Sequence, residues 1–152
     1  MNETQGLLIE GTAKTPKIDF NQLSGEMILS GVSLPENAAR IYGPLIGWIN
    51  DYVKSPHHIT NLRLNLKYYN SSSSLWFARM IKALSKINED GYVLYIHIYF
   101  TIDEFDDMDM EEFKKLVGSL MNIVEDPTVS IGIKIYGTDE SFKIIKESTI
   151  LF

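Results

Sequence analysis

The sequence predicts one mixed α/β domain over residues 1–152, with antiparallel N-terminal strands leading into alternating helices and strands. Three observations point there. Short apolar runs separated by turn residues fill the first thirty positions. Helical and strand-like periodicities then alternate to the end of the chain, which implies crossover connections and a partly parallel sheet. A length of 152 residues, with 45% hydrophobic and 22% charged side chains, suits one core that needs no external staple.

In chain order, Gly6 to Glu10 and Lys17 to Phe20 read as strands around Gly-Thr-Ala-Lys-Thr-Pro. The turn residues Asn21, Ser24 and Gly25 precede a third strand, Met27 to Ser30. Ser33-Leu-Pro-Glu36 has the form of a capping box, with proline in a first turn where its missing donor costs nothing. Ala38, Ile41, Tyr42, Leu45, Ile49 and Tyr52 recur at helical spacing, so a helix is predicted over 35–54. Pro44 lies in its middle and predicts a kink or a tightened entry turn rather than two elements.

Leu62, Leu64, Leu66 and Tyr68 alternate with polar residues, a strand with one covered face. After Asn70-Ser-Ser-Ser-Ser74, the stripe Phe77, Met80, Ile81, Leu84 and Ile87 predicts a helix over 73–89. Tyr92 to Phe100 is almost continuously apolar and aromatic, the pattern of a central strand covered on both faces. Phe113, Leu116, Val117, Leu120, Met121 and Val124 predict a third helix near 108–125. Val129 to Tyr136 alternates as a last strand, and Ser141 to Lys146 is expected as a short closing helix.

Composition excludes several function classes. There is no cysteine, hence no disulfide framework, thiolate metal site or cysteine nucleophile. The net charge of −6 is concentrated in seven acids between Asp103 and Glu112; without them 13 acids face 14 Lys and Arg. A nearly neutral remainder has no basic excess to follow a phosphate backbone, so no nucleic-acid partner is expected. No apolar run approaches 18 residues, and Met1 to Gln5 lacks the start of a signal peptide. A cytoplasmic protein without a membrane partner is expected.

Few motifs carry chemistry. Adjacent His57 and His58 on a loop point in different directions and have no third ligand nearby, so a solvated turn is expected rather than a metal site. The acids at 103–112 miss the EF-hand pattern: Met108 stands where its glycine belongs and Lys114 where its glutamate belongs. They read instead as acids placed at a helix entry. No nucleophile elbow, Walker loop, HExxH or GxGxxG occurs. The segment Asn70 to Ser74 differs by its location, at a strand-to-helix junction. Free amides and the helix dipole there favour an anion, such as a phosphate on a serine hydroxyl. Serines also cap helices, and a serine-rich junction needs no further role on that ground alone.

Gly11-Thr12 with Thr15-Pro16, then Ser33-Leu-Pro-Glu-Asn37, then Tyr42, Pro44 and Trp48, then Leu66-Lys-Tyr-Tyr-Asn-Ser-Ser-Ser73 occur in that order. This resembles the SiaC family of bacterial regulatory phosphoproteins over residues 6–125, most specifically at Pro35-Glu36-Asn37 and at the serines after Asn70. The resemblance implies a fold like that of the anti-sigma-factor antagonists and a non-enzymatic, phosphorylation-controlled switch without cofactor or metal. It implies three protein partners: a dedicated kinase, a phosphatase of the PP2C type, and a diguanylate cyclase bound by the unmodified form. Ser71 aligns with the family's phosphorylated threonine, with Asn70, Ser72 and Ser73 shaping its turn. Leu75 stands where a lysine is usual, Arg79 where an acid often stands, and Tyr95 to Phe100 lacks the usual tryptophan. The competing reading is a small-ligand or metal-binding enzyme domain using the acids at 103–112. An enzyme calls for a pocket with convergent polar groups, whereas a switch calls for Ser71 on an exposed turn with no cavity beneath it.

Overall fold

A computed structural model describes residues 6–151. The segment 1–5, read above for a signal peptide, lies outside the described residues, as does the side chain of Phe113. Seven strands form a single sheet whose spatial order follows the chain: β1 (Leu7–Ile9), β2 (Lys17–Asn21), β3 (Glu26–Ser33), β4 (Ile59–Tyr69), β5 (Val93–Thr101), β6 (Ser130–Thr138) and β7 (Ile144–Leu151). β3 to β6 run parallel to one another, and β1, β2 and β7 are added antiparallel at the two edges.

The parallel steps run through α1 (Ala38–Tyr52), α2 (Ser71–Leu84), and the pair α3 (Ile102–Asp107) and α4 (Met110–Ile123). Crossovers take one hand, and every step here advances the same way along the sheet, so all helices fall on one face. Their apolar stripes meet the strands in one core. Tyr42, Leu45 and Ile49 of α1 and Met80, Ile81 and Leu84 of α2 pack with Leu29, Leu62, Leu94, Ile96, Ile133 and Ile135. Among the described residues no helix is long and apolar enough to cross a membrane.

That arrangement corrects the expectation that β5 is covered twice. Leu94 and Ile96 face the core, while Tyr95, His97 and Tyr99 lie on the face that carries no helix among the described residues. They bury one another laterally instead. His97 and Tyr99 both stack on Tyr136 of β6, at 5.7 and 4.6 Å between ring centroids. Arg63 of β4 donates from Nε to Glu26 at 3.1 Å and from a terminal nitrogen to the Tyr99 hydroxyl at 2.8 Å. His97 is 2% exposed. Its Nε2 lies 2.7 Å from Asn61 Oδ1 and its Nδ1 2.7 Å from the Tyr136 hydroxyl. Burial, then the nearby Arg63 and Lys134, push its pKa down to about 3, so the ring is neutral.

Other boundaries moved for local reasons. The acidic stretch builds two helices rather than one entry: Thr101 and Glu104 form a capping box on α3, and Asp109 caps α4 by accepting from the Glu112 amide at 2.8 Å. Residues 141–146 are not a helix. Asp139 Oδ1 accepts from the amides of Ser141 and Lys143, and the chain turns into β7, which completes the edge of β6. No cap of the kind that starts α3 is offered here, whereas β6 gives the segment a full ladder of partners. The turn between β2 and β3 needs its glycine: Gly25 has φ +74°, and a Cβ there would sit 2.4 Å from the Ile59 carbonyl.

Candidate functional site

Parallel pairing of β3 and β4 sets Ser33 opposite Tyr69. The junctions from β3 to α1 and from β4 to α2 therefore lie side by side at the carboxyl edge of the sheet. Such edges are where open α/β sheets place their sites. Asn70 is extended, with φ −96° and ψ 173°, and caps α2: its Oδ1 accepts from the amide of Ser73 at 2.9 Å and from the Ser73 hydroxyl at 2.7 Å. α2 thus begins at Ser71, two residues before the predicted start, because asparagine is among the strongest N-caps.

The serines consequently have separate environments. Ser71 and Ser72 occupy the first two helical positions and are exposed. Neither hydroxyl has a hydrogen-bond partner among the described residues, and their amides belong to the orphan donors of the helix start. Ser73 is fully buried, and its Oγ lies 2.7 Å from Ser33 Oγ and 2.9 Å from the Ser33 carbonyl. Ser74 is exposed, with its hydroxyl 3.4 Å from the Asn70 carbonyl. Ser71 therefore stands on the first turn of a helix of 14 residues, rather than on the loop before it.

Ser33 is the principal correction. It does not cap α1. It is the last residue of β3, fully buried, and its hydroxyl bonds both Ser73 and the Tyr42 hydroxyl. Asn37 takes the capping role, accepting from the Arg40 amide at 3.3 Å. The residue before a proline is held away from helical angles, so Leu34 continues extended and the helix starts beyond the turn. Pro35 is buried, and exposed Glu36 lies 3.8 Å from Lys14. α1 runs unbroken past Pro44, one element as expected.

The sequence marks Tyr42 as part of an apolar stripe and of the family pattern, and gives no role to its phenol. Burial pushes its pKa up, against the hydrogen bonds from Ser33 and Ser73. Its ring stacks on Trp76 and meets Phe77 edge-on, so one side chain joins α1, α2 and β3. The available signal is one serine at a strand end, another at a helix start 40 positions on, and a tyrosine on a helical stripe, which no local pattern pairs.

On the two junctions the exposed apolar side chains are Leu34, Tyr68, Tyr69 and Leu75, at 41, 67, 54 and 55% exposure, with Tyr69 turned toward Phe77 of α2. α2 contains no acid; Arg79 lies over the Trp76 ring, 4.5 Å from its centroid. A cleft of about 400 Å³ opens between α2 and α4, lined by Ser74 and Tyr69 but not by Ser71. Its walls are mainly Leu64, Phe77, Ile81, Ile98 and Leu120, with Lys67 and Glu104 its charged lining residues. The other predicted sites resolve into local structure. His57 Nδ1 lies 3.1 Å from the Ile59 carbonyl within its turn, and Asp106 pairs with Lys146 at 2.8 Å. No group of three metal-ligating side chains occurs among the described residues.

Known proteins share this fold. The sequence model of a family described as SiaC family regulatory phosphoprotein matches residues 9–126. The uncharacterized protein PA14_02130 of Pseudomonas aeruginosa (strain UCBPP-PA14) is 29% identical over 85 residues, 56% of this chain and 68% of that protein. Apo-SiaC from Pseudomonas aeruginosa matches in structure with a TM-score of 0.62 at 23% identity, over 84% of this chain and 97% of its own. A structure of the diguanylate cyclase SiaD in complex with its activator SiaC, from the same organism, matches with a TM-score of 0.64 at 22% identity. That match covers 86% of this chain and 99% of the other. At these identities the structural likeness speaks for the fold.

Proposed function

The chain belongs to the SiaC family of regulatory phosphoproteins, and on that premise we propose that it is a non-enzymatic switch set by phosphorylation of Ser71. The observation that carries this reading is the contrast within one helical turn: Ser71 offers a free, exposed hydroxyl, while Ser73 is buried and bonded. A phosphate on Ser71 would sit at the start of α2, where unpaired amides and the positive end of the dipole favour it. It adds about −1.5 to −2 charge and three strong acceptors.

The surface around Ser71 suits a protein partner. Leu34, Tyr68, Tyr69 and Leu75 are exposed on the two junctions, and aromatic side chains are favoured anchors at interfaces. Docking over Ser71 would have to desolvate a phosphate, so modification would weaken binding without any change of fold. In this reading the unmodified form binds a diguanylate cyclase, the kind of partner recorded for the structural relative. A dedicated kinase and a PP2C-type phosphatase set the state of Ser71, and the whole of 1–152 acts as one regulatory domain in the cytoplasm.

The enzyme reading rests on the acids at 103–112, and their geometry favours a structural role. Glu104 is bonded in a capping box, Asp109 caps α4, and Asp106 is paired with Lys146. The cleft beside α2 is mainly apolar, and of these acids Glu104 alone is among its described lining residues. Phosphopeptide mapping of the protein purified from its native host tests the assignment. The modification is expected on Ser71; its occurrence solely on Ser73 or Ser74 would refute it.

A further inference from the structure

Tyr42, Ser33, Ser73 and Asn70 form a hydrogen-bond chain whose donors and acceptors balance. Tyr42 OH bonds Ser33 Oγ, Ser33 Oγ lies 2.7 Å from Ser73 Oγ, and Ser73 Oγ donates to Asn70 Oδ1 at 2.7 Å. Each hydroxyl has one proton, so one direction uses all of them: Tyr42 donates to Ser33, Ser33 to Ser73, and Ser73 to the Asn70 side-chain oxygen, with the Ser33 carbonyl a second acceptor 2.9 Å from the same hydroxyl. The backbone closes the loop, because the Ser33 carbonyl accepts the Asn70 amide at 3.1 Å. All three hydroxyl-bearing residues are fully buried, on three different elements. Apolar side chains would pack such a junction without any donor accounting, so the network has a consequence beyond filling space.

We propose that this buried chain selects the phosphorylation site, holding the first turn of α2 so that Ser71 is offered and Ser73 is withheld. The inference rests on the switch reading above and adds its specificity-determining residues, Tyr42 and Ser33, neither of which touches the acceptor. Ser71 and Ser73 have the same chemistry and lie two positions apart. What separates them is that the Ser73 proton is donated, its lone pair is occupied, and its side chain has no contact with solvent. Tyr42 fixes Ser33, Ser33 fixes Ser73, and Ser73 with Asn70 fixes the cap from which Ser71 projects.

Hydrogen exchange and site mapping on the full chain test this together. Tyr42→Phe keeps the ring against Trp76 and Phe77 but removes the first proton of the chain; Ser33→Ala removes the middle link. Both are expected to speed exchange at the amides of Ser73 and Ser74 by about tenfold, the scale of one lost hydrogen bond, with residues 80–84 unchanged. Phosphate mapped on protein from the native host is expected on Ser71 alone in the wild type, and on both Ser71 and Ser73 in Tyr42→Phe. Should Tyr42→Phe fail to fold, Ser33→Ala provides the same comparison. Unchanged exchange at Ser73 and Ser74 overturns the selection role. Phosphate still confined to Ser71 at wild-type occupancy overturns it too, and in both cases Ser71 stands as acceptor. Wild-type phosphate found elsewhere overturns the switch reading and the selection with it.

Discussion

Ser33 Oγ lies 2.7 Å from Ser73 Oγ although the two residues are 40 positions apart. The contact exists because β3 and β4 are parallel neighbours whose ends are level, with Ser33 opposite Tyr69. It ties the start of α2 to the end of β3 and leaves Ser71, two residues earlier, facing solvent.

Ser33→Ala is expected to cost about 1–3 kcal/mol, because it removes the acceptor of the buried Tyr42 hydroxyl and one partner of the Ser73 hydroxyl. Ser71→Ala should stay within about 0.5 kcal/mol of the wild type, its hydroxyl having no partner among the described residues. Urea denaturation of both variants measures the difference. Equal stabilities would mean that the buried hydroxyls contribute nothing.

Asn37→Ala removes the cap of α1 and should destabilise by about 0.5–2 kcal/mol. Glu36→Ala breaks only an exposed pair at 3.8 Å from Lys14 and should change stability by less than about 0.5 kcal/mol. The reverse ranking would restore the capping box at Ser33 and Glu36.

How far the sequence reached is clear from these two junctions. Periodicity places β1 to β6, the three long helices and their apolar faces, because each face repeats within one element, but it reads the start of β7 as a helix. Asn70 and Ser71 were assigned from a local turn and from resemblance, and the geometry brings them together at the head of α2. Ser33 was misassigned because Ser-Leu-Pro-Glu is locally a good cap, and only the pairing of β3 with β4 gives its hydroxyl a better partner. β5 was read as doubly covered because Tyr95, His97 and Tyr99 count as near-apolar in a pattern. The polar tips of His97 and Tyr99 are satisfied by Asn61, Arg63 and Tyr136, residues from strands that sequence alone does not set beside them.

His97 should make stability depend on pH with a defined sign. Its folded pKa of about 3 lies below the ordinary 6.5. The unfolded chain therefore takes up a proton as pH falls through 6.5 while the folded one does not. The contribution is fully present above pH 6.5 and is lost progressively down to pH 3, at up to about 1.4 kcal/mol per unit. The His97 ring signals in NMR should show no titration step between pH 8 and 4.5. A midpoint near 6.5 would mean that the ring is open to solvent.

Micromolar calcium should leave the melting temperature unchanged, since Glu104, Asp106 and Asp109 already serve caps and an ion pair. A rise of several degrees would place a metal among the acids at 103–112.

The central claim is that phosphate on Ser71 controls docking of a partner, and binding to a diguanylate cyclase from the same host tests it most directly. Titration calorimetry would compare the unmodified chain, the chain with phosphoserine installed at position 71, and Ser71→Asp. The account predicts that the unmodified chain binds most tightly, Ser71→Asp more weakly and the phosphorylated chain weakest, all three with the same fold by circular dichroism. Equal affinity for the unmodified and phosphorylated chains, or tighter binding after phosphorylation, would contradict it.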